Sequence, residues 1–186
     1  DARLLLLFGL SLLAFSLFHM THFDTAIDFR TAAVARVYQA LGLAFLFVPI
    51  NTAAYSFLPP GKNNDASGLI NLARNIGGSV GISVVTTLLS RRTQVHQSNL
   101  SAHIHSGNGT FAAMMASATR MFMARGSSAF EASRQAYGLV AARINQQATM
   151  LAYLDNFWML GVGVLLMIPF VFLMRKSKPG GPIAVH

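Results

Sequence analysis

A guanidinium inside an apolar stretch is the costliest group in this sequence. Arg74 lies within Ala66-Ser67-Gly68-Leu69-Ile70-Asn71-Leu72-Ala73-Arg74-Asn75-Ile76-Gly77-Gly78-Ser79-Val80-Gly81. An arginine at the centre of a membrane helix costs at least about 2.5 kcal/mol. From Ser67 to Arg74 is about 10 Å along a helix axis, close enough to an end for the long side chain to reach headgroups. Arg74 is therefore either a snorkelling or inter-helix anchor, or a cavity or gating cation that meets a carboxylate or anionic ligand. Asn71 and Asn75 beside it provide hydrogen-bonding surroundings for both roles. Gly77 and Gly81 form a GxxxG pair with Gly78 between them, a pattern that lets two helices approach closely in lipid.

A second apolar run carries Tyr38, Gln39, Phe45, Phe47, Asn51 and Tyr55. Asn51 and Tyr55 are one helical turn apart, and Pro49 removes a backbone donor near them. Aromatic walls with a few polar groups suit flat amphiphilic ligands, and cations sit on aromatic faces. Tyr38, Gln39, Phe45, Asn51 and Tyr55, with Asn71 and Asn75, are thus candidates for a substrate cavity. Ordinary helix packing is the alternative for the aromatic residues.

None of the six acids lies inside an apolar run. Asp24 and Asp28 fall in a polar link, Asp65 in a turn and Asp155 at the mouth of the last run. Asp24 or Asp28 is either a solvated loop charge or a proton relay. His19 and His22 raise the question of haem, but no other apolar run holds a histidine to complete bis-histidine ligation. His103 and His105 fall short of a metal-site pattern. The sequence has no cysteine, so disulfides and thiolate chemistry are excluded. No catalytic residue, metal or cofactor is expected.

The elements that must position these residues are membrane helices. Of 186 residues, 53% are hydrophobic and 11% charged, and mean hydropathy is +0.49. Soluble domains carry about 25% charged residues. Four apolar runs, about 4–21, 36–58, 66–90 and 156–174, approach the ~20 residues that cross a bilayer core. In hydrocarbon the backbone must satisfy itself, so each is expected to be an α-helix and the fold all-α. Pro59-Pro60-Gly61-Lys62 stops the second helix, and Asp65 or Ser67 can cap the third. Between 91 and 155 lies an excursion with two amphipathic helices. One covers Thr110 to Arg125; the other carries Phe130, Tyr137, Val140, Ile144 and Leu151 at helical spacing. They lie on the membrane surface, pack over helix ends or dock a partner protein. Net charge is +8, but the cations flank apolar runs or sit in this excursion, with no compact basic face, so nucleic acid is not an expected partner.

The stretch Phe57-Leu58-Pro59-Pro60, followed by Asp65 to Gly81, resembles EmrB/QacA-type drug:proton antiporters. These form the fourteen-helix branch of the major facilitator superfamily. Arg91-Arg92 leading to His96-Gln97-Ser98-Asn99-Leu100 is also similar, as are Gln146-Gln147-Ala148 and Asn156-Phe157-Trp158. The resemblance implies that the four runs are the family's last four helices, in a bacterial inner membrane. It implies that the second and third line the central cavity while the first and fourth are peripheral. It places both termini in the cytoplasm and 91–155 outside. Charge does not decide the orientation, because Arg3, Lys62, Arg175, Lys176 and Lys178 balance Arg30, Arg36, Arg91, Arg92 and Arg143. The family exports amphiphilic compounds in exchange for protons. In its Gram-negative members a periplasmic membrane-fusion adaptor and an outer-membrane channel complete the route. The start at Asp1 rather than Met marks a fragment boundary in this reading, with the proton-coupling carboxylates in an N-terminal part. The other reading is a non-transporting membrane interaction module or a truncated product.

Overall fold

The computed structural model describes residues 2–55, 63–102 and 109–173. All five elements are α-helices: α1 (Ala2–Met20), α2 (Phe29–Tyr55), α3 (Asn63–Ala102), α4 (Gly109–Ala124) and α5 (Ala129–Leu173). Four of them, all but α4, are long and apolar enough to cross a membrane. The chain is an all-α, membrane-spanning protein. The expected turn at Pro59 to Lys62, the side chain of Asp65 and the basic tail from Arg175 lie outside the described residues.

Helix persistence is the main departure from the sequence reading. The third run was expected to end near 90, but α3 continues to Ala102. The last run and the second amphipathic segment merge into one helix, α5, of 45 residues. No proline occurs between Lys62 and Ile168, so neither extension meets the lost hydrogen bond and ring clash that proline brings to a helix interior. The prolines within helices, Pro49 and Pro169, are accommodated in α2 and α5.

The chain divides into two units, residues 1–83 with 157–186, and residues 84–156. In the first unit α1 packs between α2 and the second half of α5. Leu6, Leu13 and Leu17 of α1 are buried with Leu46 of α2 and Val171 of α5. Phe157 and Val164 of α5 join them at heptad spacing, so one face of the helix meets α1. Gly161, on that face, lies against the Phe18 ring: a Cβ there would sit 3.1 Å from Cζ.

The tightest approach is between α1 and α2, which run antiparallel. A Cβ at Gly42 would lie 2.9 Å from the backbone N of Leu13, and one at Gly9 would lie 2.9 Å from Leu46 Cδ2. Beyond this crossing the buried Ser16 hydroxyl donates to the Ala35 carbonyl at 2.9 Å. Small residues permit such contact in lipid, and a buried inter-helix hydrogen bond adds to it. The expected GxxxG of α3 behaves differently. Nothing lies within 4 Å of a Cβ built at Gly77, Gly78 or Gly81, and every residue of α3 from 71 to 83 is exposed.

In the second unit α4 and the first half of α5 form a helical hairpin. The α4 terminus is a Schellman motif. Gly126 takes φ +96°, its N–H donates to the Met123 carbonyl at 3.0 Å, and Ser127 N–H donates to Phe122 at 3.2 Å. Glycine has no Cβ to oppose that backbone. Two residues later Ser128 and Glu131 cap α5 reciprocally: Glu131 N–H donates to Ser128 Oγ at 3.3 Å, and Ser128 N–H to Glu131 Oε2 at 3.4 Å. Buried Ala132, Ala136, Val140, Ala148 and Ala152 recur along α5 at multiples of four. Met114 and Met121 of α4 line a pocket with Leu139 and Val140 of α5. The apolar face of α4 is thus turned onto α5.

The crossing gives a direct test by thermal unfolding in detergent, followed by circular dichroism. Gly42→Leu is expected to destabilise the chain by about 1–3 kcal/mol through overpacking against the Leu13 backbone. Gly81→Leu in the same chain is expected to leave the midpoint unchanged.

Candidate functional site

The geometry of α2 separates the expected cavity residues into two groups. Tyr38 and Phe45 lie near the same helix face as Gly42 and meet α1. Phe45 stacks edge-on against Phe8 at 5.1 Å, and Tyr38 against Phe15 at 6.5 Å. Gln39 accepts a hydrogen bond from Arg36 Nη1 at 2.6 Å. Asn51 comes nine residues after Gly42, which at 3.6 residues per turn is the opposite side of the helix. Docking of α1 at Gly42 therefore turns Asn51 toward α3.

There Asn51 meets Arg74. Arg74 Nη2 donates to Asn51 Oδ1 at 2.8 Å. The guanidinium carbon sits 5.6 Å from the centroid of Phe47, one turn before Asn51, in a cation–π arrangement. Among the described residues no carboxylate lies within ion-pair distance of Arg74. Asn51 accepts through a neutral oxygen, so among the described residues no partner neutralises the charge. A guanidinium has five N–H donors in a planar fork, and the bond to Asn51 uses one of them. Asn71 and Asn75 are exposed on the same helix as Arg74. The Tyr55 side chain lies outside the described residues. Phe47, an aromatic residue of the run that was not among the cavity candidates, is linked to Arg74 by its position one turn before Asn51.

The titratable residues outside the spans have local roles. Asp24 Oδ1 accepts from Ala26 N–H at 2.9 Å. Asp28 is the N-cap of α2, accepting from Thr31 N–H at 3.3 Å. Hydrogen bonding from Thr31, first its side chain and then its backbone, holds the Asp28 carboxyl below its ordinary value of 3.8. Asp155 behaves differently, because its partners come from another helix. Its Oδ2 lies 2.8 Å from His96 Nε2 and 3.6 Å from Arg92 Nε, tying α5 to α3 within the second unit. His22 Nδ1 lies 3.2 Å from the Phe18 carbonyl, and His19 packs edge-on against Phe23. His103 and His105 lie outside the described residues. No group of three or more metal-ligating side chains occurs among the described residues.

No family model matches the sequence, and no solved structure matches it. Curated proteins do. The chain is 28% identical to multidrug export protein EmrB of Escherichia coli (strain K12) over 180 residues, 96% of this chain and 33% of EmrB. It is 27% identical to fatty acid resistance protein FarB of Neisseria gonorrhoeae over 181 residues, 97% of this chain and 34% of FarB. It is 35% identical over 112 residues to the probable multidrug resistance protein EmrY of E. coli, 60% of this chain and 22% of that protein. The chain spans about a third of the length of EmrB and FarB.

The Asp28 cap carries a pH signature. Its carboxyl is lowered in the folded chain, so its stabilising contribution is complete above 3.8 and is lost as pH falls through the lowered value. At pH 7 Asp28→Ala is expected to lower the thermal midpoint, with the gap to wild type closing on acidification below about 3.8. Asp28→Asn retains a capping oxygen and is expected to lower the midpoint less at pH 7, by a gap that also narrows as the wild-type carboxylate is protonated. Thermal scans of the three proteins across pH 2.5 to 7 check this.

Proposed function

We propose that this chain, an EmrB-like membrane segment, is the C-terminal portion of a drug:proton antiporter that exports amphiphilic compounds across a bacterial inner membrane. The observation that carries this reading is the similarity to EmrB and FarB over at least 96% of the chain. The names of those relatives concern multidrug export and fatty acid resistance. The four membrane-crossing helices are of the kind such a transporter needs.

In this reading Arg74, Asn51 and Phe47 belong to the wall of the transport path. Flat amphiphiles lie against Phe47, and their polar groups meet the Arg74 guanidinium. Asn71 and Asn75 extend the polar surface along α3. Gly77, Gly78 and Gly81, which meet nothing among the described residues, pack against a helix elsewhere in the longer protein. Proton coupling uses carboxylates that are also in that longer protein, since Asp24, Asp28 and Glu131 serve local backbone or capping contacts. Both ends of the segment face the cytoplasm, and residues 91–155 face the periplasm, where an adaptor and an outer-membrane channel would continue the route.

The test is expression of the intact gene in a host lacking its own efflux pumps. Resistance to dyes and uncouplers, and export that collapses when the proton gradient is dissipated, are expected. No change for any compound would leave a non-transporting membrane module as the better reading. Arg74→Ala is expected to reduce export at least tenfold while the protein reaches the membrane in normal amount. Full activity of that variant would make Arg74 a snorkelling anchor.

A further inference from the structure

The hairpin of α4 and the first half of α5 holds a recess that the export reading leaves unused. Met114, Ala118 and Met121 follow on α4 at spacings of four and three, so they share one helix face. The middle member of that stripe is small, and a long thioether side chain stands on either side of it. A recess of about 190 Å³ opens at this point of the seam, and Val140 and Arg143 of α5 line it from across. Its base is apolar and closed off from solvent: Ala118 is 7% exposed and Val140 4%. Its mouth is polar and accessible, because Ser117 and Arg143 both line it and are both exposed.

Size and lining narrow the occupant. Sites for drug-sized molecules begin at about 300 Å³, whereas an apolar cavity of about 150 Å³ holds benzene. The recess therefore takes a single ring. Sulfur–aromatic contacts with Met114 and Met121 favour that ring being aromatic. Charge selects its substituent. From Gly109 to Leu154 the chain carries Arg120, Arg125, Arg134 and Arg143 against one acid, Glu131. Glu131 is engaged with Ser128 at the start of α5. Among the described residues no carboxylate lies within ion-pair distance of Arg143. A guanidinium receives a carboxylate through two parallel hydrogen bonds, and a serine hydroxyl donates to the same group.

We propose that the seam between α4 and α5 binds a small aromatic carboxylate. The ring rests on Ala118 and Val140 between the two methionines, and the carboxylate accepts from Arg143 and Ser117 at the mouth. Residues 114–143 form the whole site, so it is independent of the export reading.

The test uses the full-length protein carrying this chain, in nanodiscs of phosphatidylcholine. The photolabel is 4-azidobenzoate, its control is the neutral 4-azidobenzamide, and labelled peptides are mapped by mass spectrometry. The acid is expected to label peptides containing Met114 to Met121 or Val140 to Arg143 about fivefold more than the amide, the gain from one exposed charge pair. Benzoate is expected to protect the same peptides. Arg143→Gln is expected to remove the preference and Arg143→Lys to keep it. Arg134→Gln, a cation outside the lining, is expected to leave it unchanged. Ala118→Leu, which fills the base, is expected to abolish labelling by both compounds. Thermal unfolding checks each variant; should Ala118→Leu not fold, Ser117→Trp, which blocks the mouth from an exposed position, is read in its place. Equal labelling by acid and amide overturns the proposal, as does labelling that survives the filling variant. Labelling confined to other segments overturns it too. So does an equal loss of preference with Arg134→Gln and Arg143→Gln, which would assign the effect to the overall charge of the hairpin.

Discussion

The contact of Gly42 with the Leu13 backbone sets the frame of the first unit. Two helices in lipid gain little from hydrophobic burial against each other, because the tails around them are equally apolar. They gain instead from close packing, and Gly42 fits where an added Cβ would lie 2.9 Å from the Leu13 backbone N. That contact decides which way α2 is turned. Tyr38 and Phe45 go to α1, and Phe47 and Asn51 go to the opposite side. The polar contact to Arg74 is therefore a consequence of a glycine two and a half turns away. The Ser16 to Ala35 hydrogen bond holds the same crossing at its other end.

The charged groups follow a consistent economy. Arg74 is a cation in an apolar run, and its partners are a neutral amide and an aromatic ring. Such partners lower the cost of placing the charge in a membrane without cancelling the charge. The acids around the spans are largely committed: Asp28 and Glu131 to helix starts, Asp24 to a turn, Asp155 to His96 and Arg92.

Much of the architecture was legible in the sequence because composition and run length dominate in lipid. Four apolar runs fall in four helices long and apolar enough to cross a membrane, and the segment expected from Thr110 to Arg125 overlaps α4. The helix ends were less legible. Asp28 starts α2 well before the apolar run at 36, since a cap acts through one carboxylate rather than through hydropathy. The continuation of α3 past Ser90 and the fusion within α5 run through stretches without proline, which a scan for apolar runs does not register. The glycine patterns show the deeper limit. GxxxG in α3 is visible within one segment yet touches nothing among the described residues. Gly9 and Gly42 lie on different helices, and only the fold brings Gly9 against Leu46 and Gly42 against Leu13. The cavity residues of α2 divided for the same reason: their helical phase was readable, but which phase faced α1 was not.

The claim most exposed to contradiction is that the Arg74–Asn51 contact borders a transport path. Because this chain contains no cysteine, a single thiol at Asn51 reports its surroundings cleanly in a transporter freed of any other cysteines. Asn51→Cys, in membranes, is treated with a water-soluble, membrane-impermeant thiol reagent with and without an exported dye. The account predicts labelling that the dye slows. Absence of labelling from both sides of the membrane, in a protein that still exports the dye, would contradict it and place Asn51 and Arg74 in sealed helix packing.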